Sequence, residues 1–213
     1  HALTACIRRQ TGLPLEIHAH NDLGLATAVS LAAVDGGADY VSVTAAGLGE
    51  RAGNAALEEV ALALETLYGE PVGLDTTVLP KLAERVATAA GRPLPEDKPV
   101  VGRSAFSHEA GIHVAGLLRD TGTYTGLDPA RVGRRHALVL GKHSGTAGIA
   151  RACAELGLPL ADGQARQMLT QLRYHYRDTT RPPEPDDLRR WHAITRKPIS
   201  ADPQPSGPNG SEI

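Results

Sequence analysis

Leu13-Pro14-Leu15-Glu16-Ile17-His18-Ala19-His20-Asn21-Asp22 runs straight into Leu23-Gly24-Leu25-Ala26. Residues 13–17 read as an extended run, and the glycine-bearing stretch after Asp22 reads as the start of a helix. In a β-strand, side chains two apart share a face, so Glu16, His18 and His20 point the same way. A rise of roughly 3.3 Å per residue sets the two histidines about 7 Å apart at Cα, close enough for both imidazoles to converge on one metal ion. Imidazole suits divalent Zn, Mn or Fe, while neighbouring carboxylate and amide groups also accept Mg. A His-x-His pair alone fits surface or hydrogen-bonded core histidines equally well, so its surroundings decide.

Asp39-Tyr40-Val41-Ser42-Val43-Thr44-Ala45 reads as a second strand. It follows a helix over Gly24 to Gly36 and leads into Gly47-Leu48-Gly49-Glu50-Arg51-Ala52-Gly53-Asn54. Strand, helix and strand within about thirty residues make a βα unit with a right-handed crossover. Both strands then present their C-terminal ends on one side, where a (β/α)8 barrel builds its sites. The plainer reading of the loop is a tight turn with glycines at positive φ, a surface pair of Glu50 with Arg51, and Asn54 capping a helix over Ala55 to Tyr68. Asp22 most simply caps the helix that starts near Gly24, where its charge suits the positive end of the dipole.

Five stretches occur in order: LEIHAHNDLGLATA, GLGERAGNAALEE, SHEAGIHVAGLL, YTGLDPARVGR and LVLGKHSG. Together they resemble the 2-isopropylmalate synthase and homocitrate synthase family of metal-dependent Claisen-condensing enzymes, and within it the homocitrate synthases associated with nitrogen fixation. The resemblance runs from Leu13 to about Gly145. It implies an α/β fold: the C-terminal part of a (β/α)8 TIM barrel, its last two βα units, followed by a small, mainly helical C-terminal subdomain. It further implies a divalent metal (Mg, Mn or Zn) held by His18, His20 and Asn54, with no counterpart here for the fourth ligand, an Asp on the first barrel strand.

By the same resemblance His113 is the acid/base histidine that enters a neighbouring subunit's active site, and Tyr124 is the tyrosine that accompanies it. The alternatives are a histidine bonded within the linker and an ordinary packed ring with a satisfied hydroxyl. His108 and His113 are five apart and would diverge on one helix, which argues against joint ligation. Lys142 to Gly145 matches a family motif without a secure role, and Ser144 as a helix N-cap fits as well. Glu16 is the expected substrate-binding residue, favouring 2-oxoglutarate over 2-oxoisovalerate. The implied reaction is condensation of acetyl-CoA, the co-substrate, with 2-oxoglutarate to homocitrate and CoA. The alternatives are a 2-isopropylmalate synthase-type condensation with 2-oxoisovalerate, an aldol-type lyase of the same superfamily, or an inactive dimerisation module. Against the lyase stand GIHVAG and LVLGKHSG, part of a subdomain that the lyases resembling this barrel lack. Val29 stands where relatives usually carry Asn, and Ala115 where the matching segment has Asp. Either points to weakened activity or a relic.

The chain begins at His1, and a first helix over Ala2 to Gln10 precedes what the resemblance makes the seventh barrel strand. Two strands cannot close a barrel, and open parallel edges invite pairing. The expectation is therefore the C-terminal part of an enzyme: a truncated product, an incompletely recorded sequence, or one half of a split enzyme with a separate N-terminal chain. Residues 1–75 are the expected barrel units and 76–99 a helix over Thr76 to Ala90 with a proline-rich break. Residues 100–178 form the subdomain, which the resemblance makes a swapped element of a homodimer. Residues 179–213 hold a short helix over Asp186 to Thr195 and, from Pro198, a tail of disorder-promoting composition.

The 213 residues are 41% apolar with a net charge of −2, enough for a core and unsuited to nucleic acid or an anionic membrane. No apolar run approaches the roughly 20 residues that span a bilayer, and no secretory leader pattern is present. Isolated Cys6 and Cys153 read as reduced core thiols of a cytoplasmic protein. Aromatic residues are only 3% of the chain, so Leu, Ala and Val must fill the core. Leucine feedback through a large C-terminal regulatory domain is not expected.

Overall fold

β1 (Glu16–His18) pairs in parallel with β2 (Tyr40–Ser42), with Glu16 opposite Tyr40, Ile17 opposite Val41 and His18 opposite Ser42. These come from a computed structural model that describes residues 1–120 and 122–196. α1 (Ala2–Thr11) precedes the pair and α2 (Ala26–Asp35) connects it, as the hydrophobic pattern requires. Both strands are shorter than the extended runs in the sequence. Each has a single ladder partner, and beyond the shared register the bonding leaves the ladder: Asp39 N and Tyr40 N both donate to Leu15 O, and Thr44 bridges Ala56 instead. α3 (Leu57–Ala63) follows the glycine-rich loop and relaxes into a π-helical turn over Leu64–Tyr68.

Small side chains dominate the core under this sheet: Ala19, Ala26, Ala55 and Val60, flanked by Ile17, Val41, Val43 and Leu64. Asp75 accepts a 3.0 Å bond from Thr77 N and starts a 3-10 turn over Thr76–Val78, which runs into α4 (Leu79–Ala89). Leu79 and Ala83 pack on Val101. As expected, no regular element occupies residues 91–99.

The described residues divide into two compact units, the first made of 1–107 and 125–137, the second of the described parts of 108–124 and 138–213. The division is not a single cut in the 91–99 break, where the sequence places it. Residues 125–137 return to the first unit because Arg131 pairs with Glu65, Arg134 bonds Gly102 O, and Thr76 Oγ1 donates to Arg131 O at 2.6 Å. β3 (Ser107–His108) and β4 (Ala137–Leu138) pair as a second two-stranded sheet.

Four helices build the second unit: α5 (Gly111–Arg119), α6 (Thr146–Glu155), α7 (Gln164–Asp178) and α8 (Pro185–Thr195). Ile149, Cys153, Met168, Leu169, Leu172, Leu188 and Trp191 form its core. α8 starts at a reciprocal capping box between Glu184 and Asp187, and Asp187 also bonds Arg181 and Arg190, each at 2.8 Å. Cys153 is buried, whereas Cys6 is only half-buried on α1, which has no fully buried residue and so makes no core thiol. Among the described residues no helix is long and apolar enough to cross a membrane. The expected disorder from Pro198 onward falls outside the described residues.

Candidate active site

β1 ends at His18, and His20 lies beyond it in a bridge to Asn54, flanked by Asn21 N donating to Gly53 O at 2.9 Å and Ala55 N donating to Ala19 O at 3.1 Å. This bridge carries the end of the first strand to the end of the glycine-rich loop. It brings together the three side chains that the resemblance implies as ligands. The His18 and His20 rings stand edge to face, 5.0 Å between centroids. His18 Nδ1 lies 3.2 Å from Ser42 Oγ. An Nδ1–H donated there leaves the Nε2 lone pair for a metal and fixes the ring's orientation, as metal-binding histidines usually require.

Asn54 Nδ2 donates to Leu48 O at 3.2 Å, while Asn54 Oδ1 and His20 Nδ1 are buried without a hydrogen-bond partner. A buried ring nitrogen and a buried amide oxygen on two bridged residues, neither with a protein donor, carry a desolvation cost, and a cation taking the oxygen and an unprotonated Nδ1 relieves it. The donor set of imidazole, imidazole and amide oxygen suits a divalent ion. Among the described residues no group of three or more His, Cys, Asp or Glu gathers as a metal cluster. The candidate centre is two histidines and an amide.

Asn54 does not cap the following helix. Its N-cap is Ala56, without a side-chain bond, and the Asn54 side chain turns back across the loop to Leu48. Asp22 does not cap α2 either, since Asn21 Oδ1 takes that place, accepting from Ala26 N at 3.1 Å. Asp22 instead makes a two-pronged bond to Arg51, both contacts 2.9 Å, and this guanidinium holds its carboxyl below the usual range. Arg51 therefore pairs across the loop with Asp22 rather than with its neighbour Glu50. Glu16 is exposed at the start of β1.

Glu58 is the residue sequence reading passed over. It is 1% exposed, and its Oε2 accepts from Ala46 N at 3.0 Å, pinning a residue held at a φ of 59°. Oε1 lies 3.7 Å from Lys98 Nζ, which pairs with Glu59. Burial pushes the Glu58 carboxyl up. The same turn receives Asn54, whose N donates to Gly47 O at 3.0 Å, so Glu58 underpins the loop that presents the amide. A charged residue on the apolar-facing side of α3, one position before Glu59, was the available signal.

In the second unit, His113 on the first turn of α5 stacks on Tyr124, centroids 4.3 Å apart and planes at 30°. Tyr124 is 47% exposed and sits at a φ of 61°, strained for an aromatic residue. His108 lies on β3 rather than on the helix of His113, and the two rings come within 6.5 Å. Ser144 is not a helix cap, because the N-cap of α6 is Gly145, with no side-chain bond.

Residues 1–86 match the HMGL-like family model, and residues 100–179 match the model described as homocitrate synthase post-HMGL domain-like. The chain is 57% identical over 144 residues to a homocitrate synthase of Frankia alni, covering 68% of this chain and 41% of that protein. It is 46% identical over 173 residues to 2-isopropylmalate synthase 2 of Caldanaerobacter subterraneus, covering 81% and 45% respectively. A putative (R)-citramalate synthase of Methanoculleus marisnigri is 47% identical over 160 residues, covering 75% and 32%. The chain thus spans less than half the length of these curated relatives. It carries an HMGL-like segment followed by a homocitrate synthase post-HMGL-like segment, and its relatives are homocitrate, isopropylmalate and citramalate synthases.

Proposed function

We propose that this chain supplies the C-terminal part of a metal-dependent enzyme that condenses acetyl-CoA with 2-oxoglutarate to give homocitrate and CoA. The observation that carries the reading is the pair of buried, unpartnered atoms His20 Nδ1 and Asn54 Oδ1 beside the His18 ring. A divalent cation held by these residues supplies Lewis-acid polarisation of the 2-oxo acid's ketone. His113 takes a methyl proton from acetyl-CoA at a ring nitrogen, as suits imidazole acting as a general base, and the stacked Tyr124 keeps the ring in place. The enolate carbon bonds the ketone carbon, whose oxygen is protonated, and water then cleaves the thioester to release the CoA thiol.

Glu16, at the exposed start of β1, is the substrate-binding residue in this reading. Together with the identity to the Frankia alni homocitrate synthase, it favours 2-oxoglutarate. The longer alignment to an isopropylmalate synthase favours 2-oxoisovalerate as the second candidate. The working enzyme pairs this chain with an N-terminal half and a second copy that exchanges the 100–178 subdomain.

The test is CoA-thiol release with Mg or Mn across several 2-oxo acids, by the chain alone and mixed with the N-terminal half of a relative. Turnover in the mixture, selective for 2-oxoglutarate, is the expected result. Selectivity for 2-oxoisovalerate moves the assignment to the second candidate. No turnover in a mixture shown to assemble leaves a dimerisation module.

A further inference from the structure

The Lys142-His143-Ser144-Gly145 motif is so far without a role, yet in the second unit it is bound to the segment that carries His113. α5 has no side-chain cap at its N-terminus. Its first N–H, from Gly111, donates instead to His143 O at 3.2 Å, so the motif's backbone caps the helix from another part of the chain. Glu109, two residues before the helix, is held by two bonds, one of them through a relay. Its Oε1 accepts from His143 N at 2.8 Å, its backbone oxygen accepts from Ser144 Oγ at 3.2 Å, and Ser144 Oγ in turn accepts from Gly141 N at 2.9 Å. Ser144 is 5% exposed, which places this hydroxyl relay out of water, where each bond is costly to leave unmade.

Two glycines let the backbones meet. A Cβ on Gly111 would lie 2.8 Å from Gly145 N, and one on Gly145 would lie 3.2 Å from Gly111 Cα. The motif's other flank is fixed by Tyr176 of α7, whose hydroxyl donates to Leu140 O at 3.0 Å. The turn therefore joins the packed helix pair α6 and α7 to the first turn of α5, on which His113 stacks against Tyr124.

We infer that Glu109 and Ser144 are positioning residues: the 141–145 turn is a clamp on the N-terminus of α5 that fixes the His113–Tyr124 stack. This rests on the reading of His113 as the acid/base group. A clamp that merely stabilised the fold would alter melting and leave the stack as it is. One that positions alters the ring environment first.

The experiment compares Ser144→Ala, Glu109→Leu and the conservative Glu109→Gln in the full chain. It follows the His113 and Tyr124 ring resonances and their mutual NOE by NMR, with a thermal melt alongside. Ser144→Ala removes one hydroxyl and carries the decision if Glu109→Leu does not fold. The expected result is a changed His113 ring shift and a weakened NOE in Ser144→Ala and Glu109→Leu, restored in Glu109→Gln, which keeps an acceptor for His143 N. In a mixture that turns over, kcat falls by about tenfold or more while KM for the 2-oxo acid stays put, as misplacement of a reacting group predicts. Unchanged ring resonances in folded Ser144→Ala, or an unchanged kcat in an active mixture, overturns the clamp. A mixture without turnover but with shifted rings refutes the enzyme reading and leaves the clamp standing.

Discussion

Gly49 has no room for a side chain, because a Cβ there would lie 2.5 Å from Asn54 Nδ2 and 3.0 Å from Asn54 Oδ1. Gly49→Ala therefore displaces the amide without touching either histidine. Its affinity for Mn2+, read by EPR or calorimetry, should drop by about tenfold or more, the usual cost of disturbing a ligand's support. Unaltered binding in the folded variant would remove Asn54 from the ligand set. Glu58 gives a second test. Burial raises its folded pKa, so in the window above the ordinary Glu value the folded state binds more protons than the unfolded one. By linkage, stability then falls as pH rises through that window. Urea unfolding across pH 4.5 to 8 should show this slope flattened in Glu58→Gln, and an identical slope in both proteins would refute it. At this scale the sequence disclosed the histidine pair through its period-two spacing. The pairing of Asp22 with Arg51 was not legible, since partners 29 residues apart are chosen by the fold and not by neighbours.

α8 depends on a residue buried at its own beginning. Asp187 closes the capping box, bonds two arginines and is 6% exposed. The Glu184 N–H and the Arg181 guanidinium hold its carboxyl below the usual range. A depressed folded pKa is the reverse case of Glu58: the stabilisation is present at neutral pH and is lost as pH falls through the folded value. Asp187→Ala should cost about 1 to 2 kcal/mol at neutral pH, a typical cap loss, and the gap to the parent protein should close under acid in chemical denaturation. A pH-independent gap would mean the ionised carboxylate is not what matters. Helices were the legible elements, since α1, α2, α4 and α8 fall where the sequence places them to within a few residues. The strands were over-read, because a strand's length is set by its partner's register as much as by its own sequence.

The whole molecule is two units with unlike cores, one built on alanines beneath a two-stranded sheet, the other on Ile149, Met168, Leu172 and Trp191. Burying larger apolar surface stabilises more, so the second unit should outlast the first in urea. The chain's one tryptophan, Trp191, lies in the second unit, so its fluorescence reports that unit while far-UV circular dichroism reports both. The circular dichroism transition should start at lower urea than the fluorescence transition. Coincident curves would make the chain a single cooperative body. The sequence pointed to a βα part followed by a mainly helical one, but not to residues 125–137 rejoining the first unit. That return rests on Arg131 and Arg134 finding Glu65 and Gly102, contacts with no local signature.

The two sulfurs of Cys153 and Met168, both 0% exposed and 3.8 Å apart, sit in the middle of the second unit's core. Burial pushes the Cys153 thiol up, away from its reactive thiolate, while Cys6 is within reach on α1. A thiol label thus meets two populations in one chain. Cys6 is alkylated at the speed of its own chemistry, and Cys153 only when the helices part, so its slow modification keeps time for the breathing of the core.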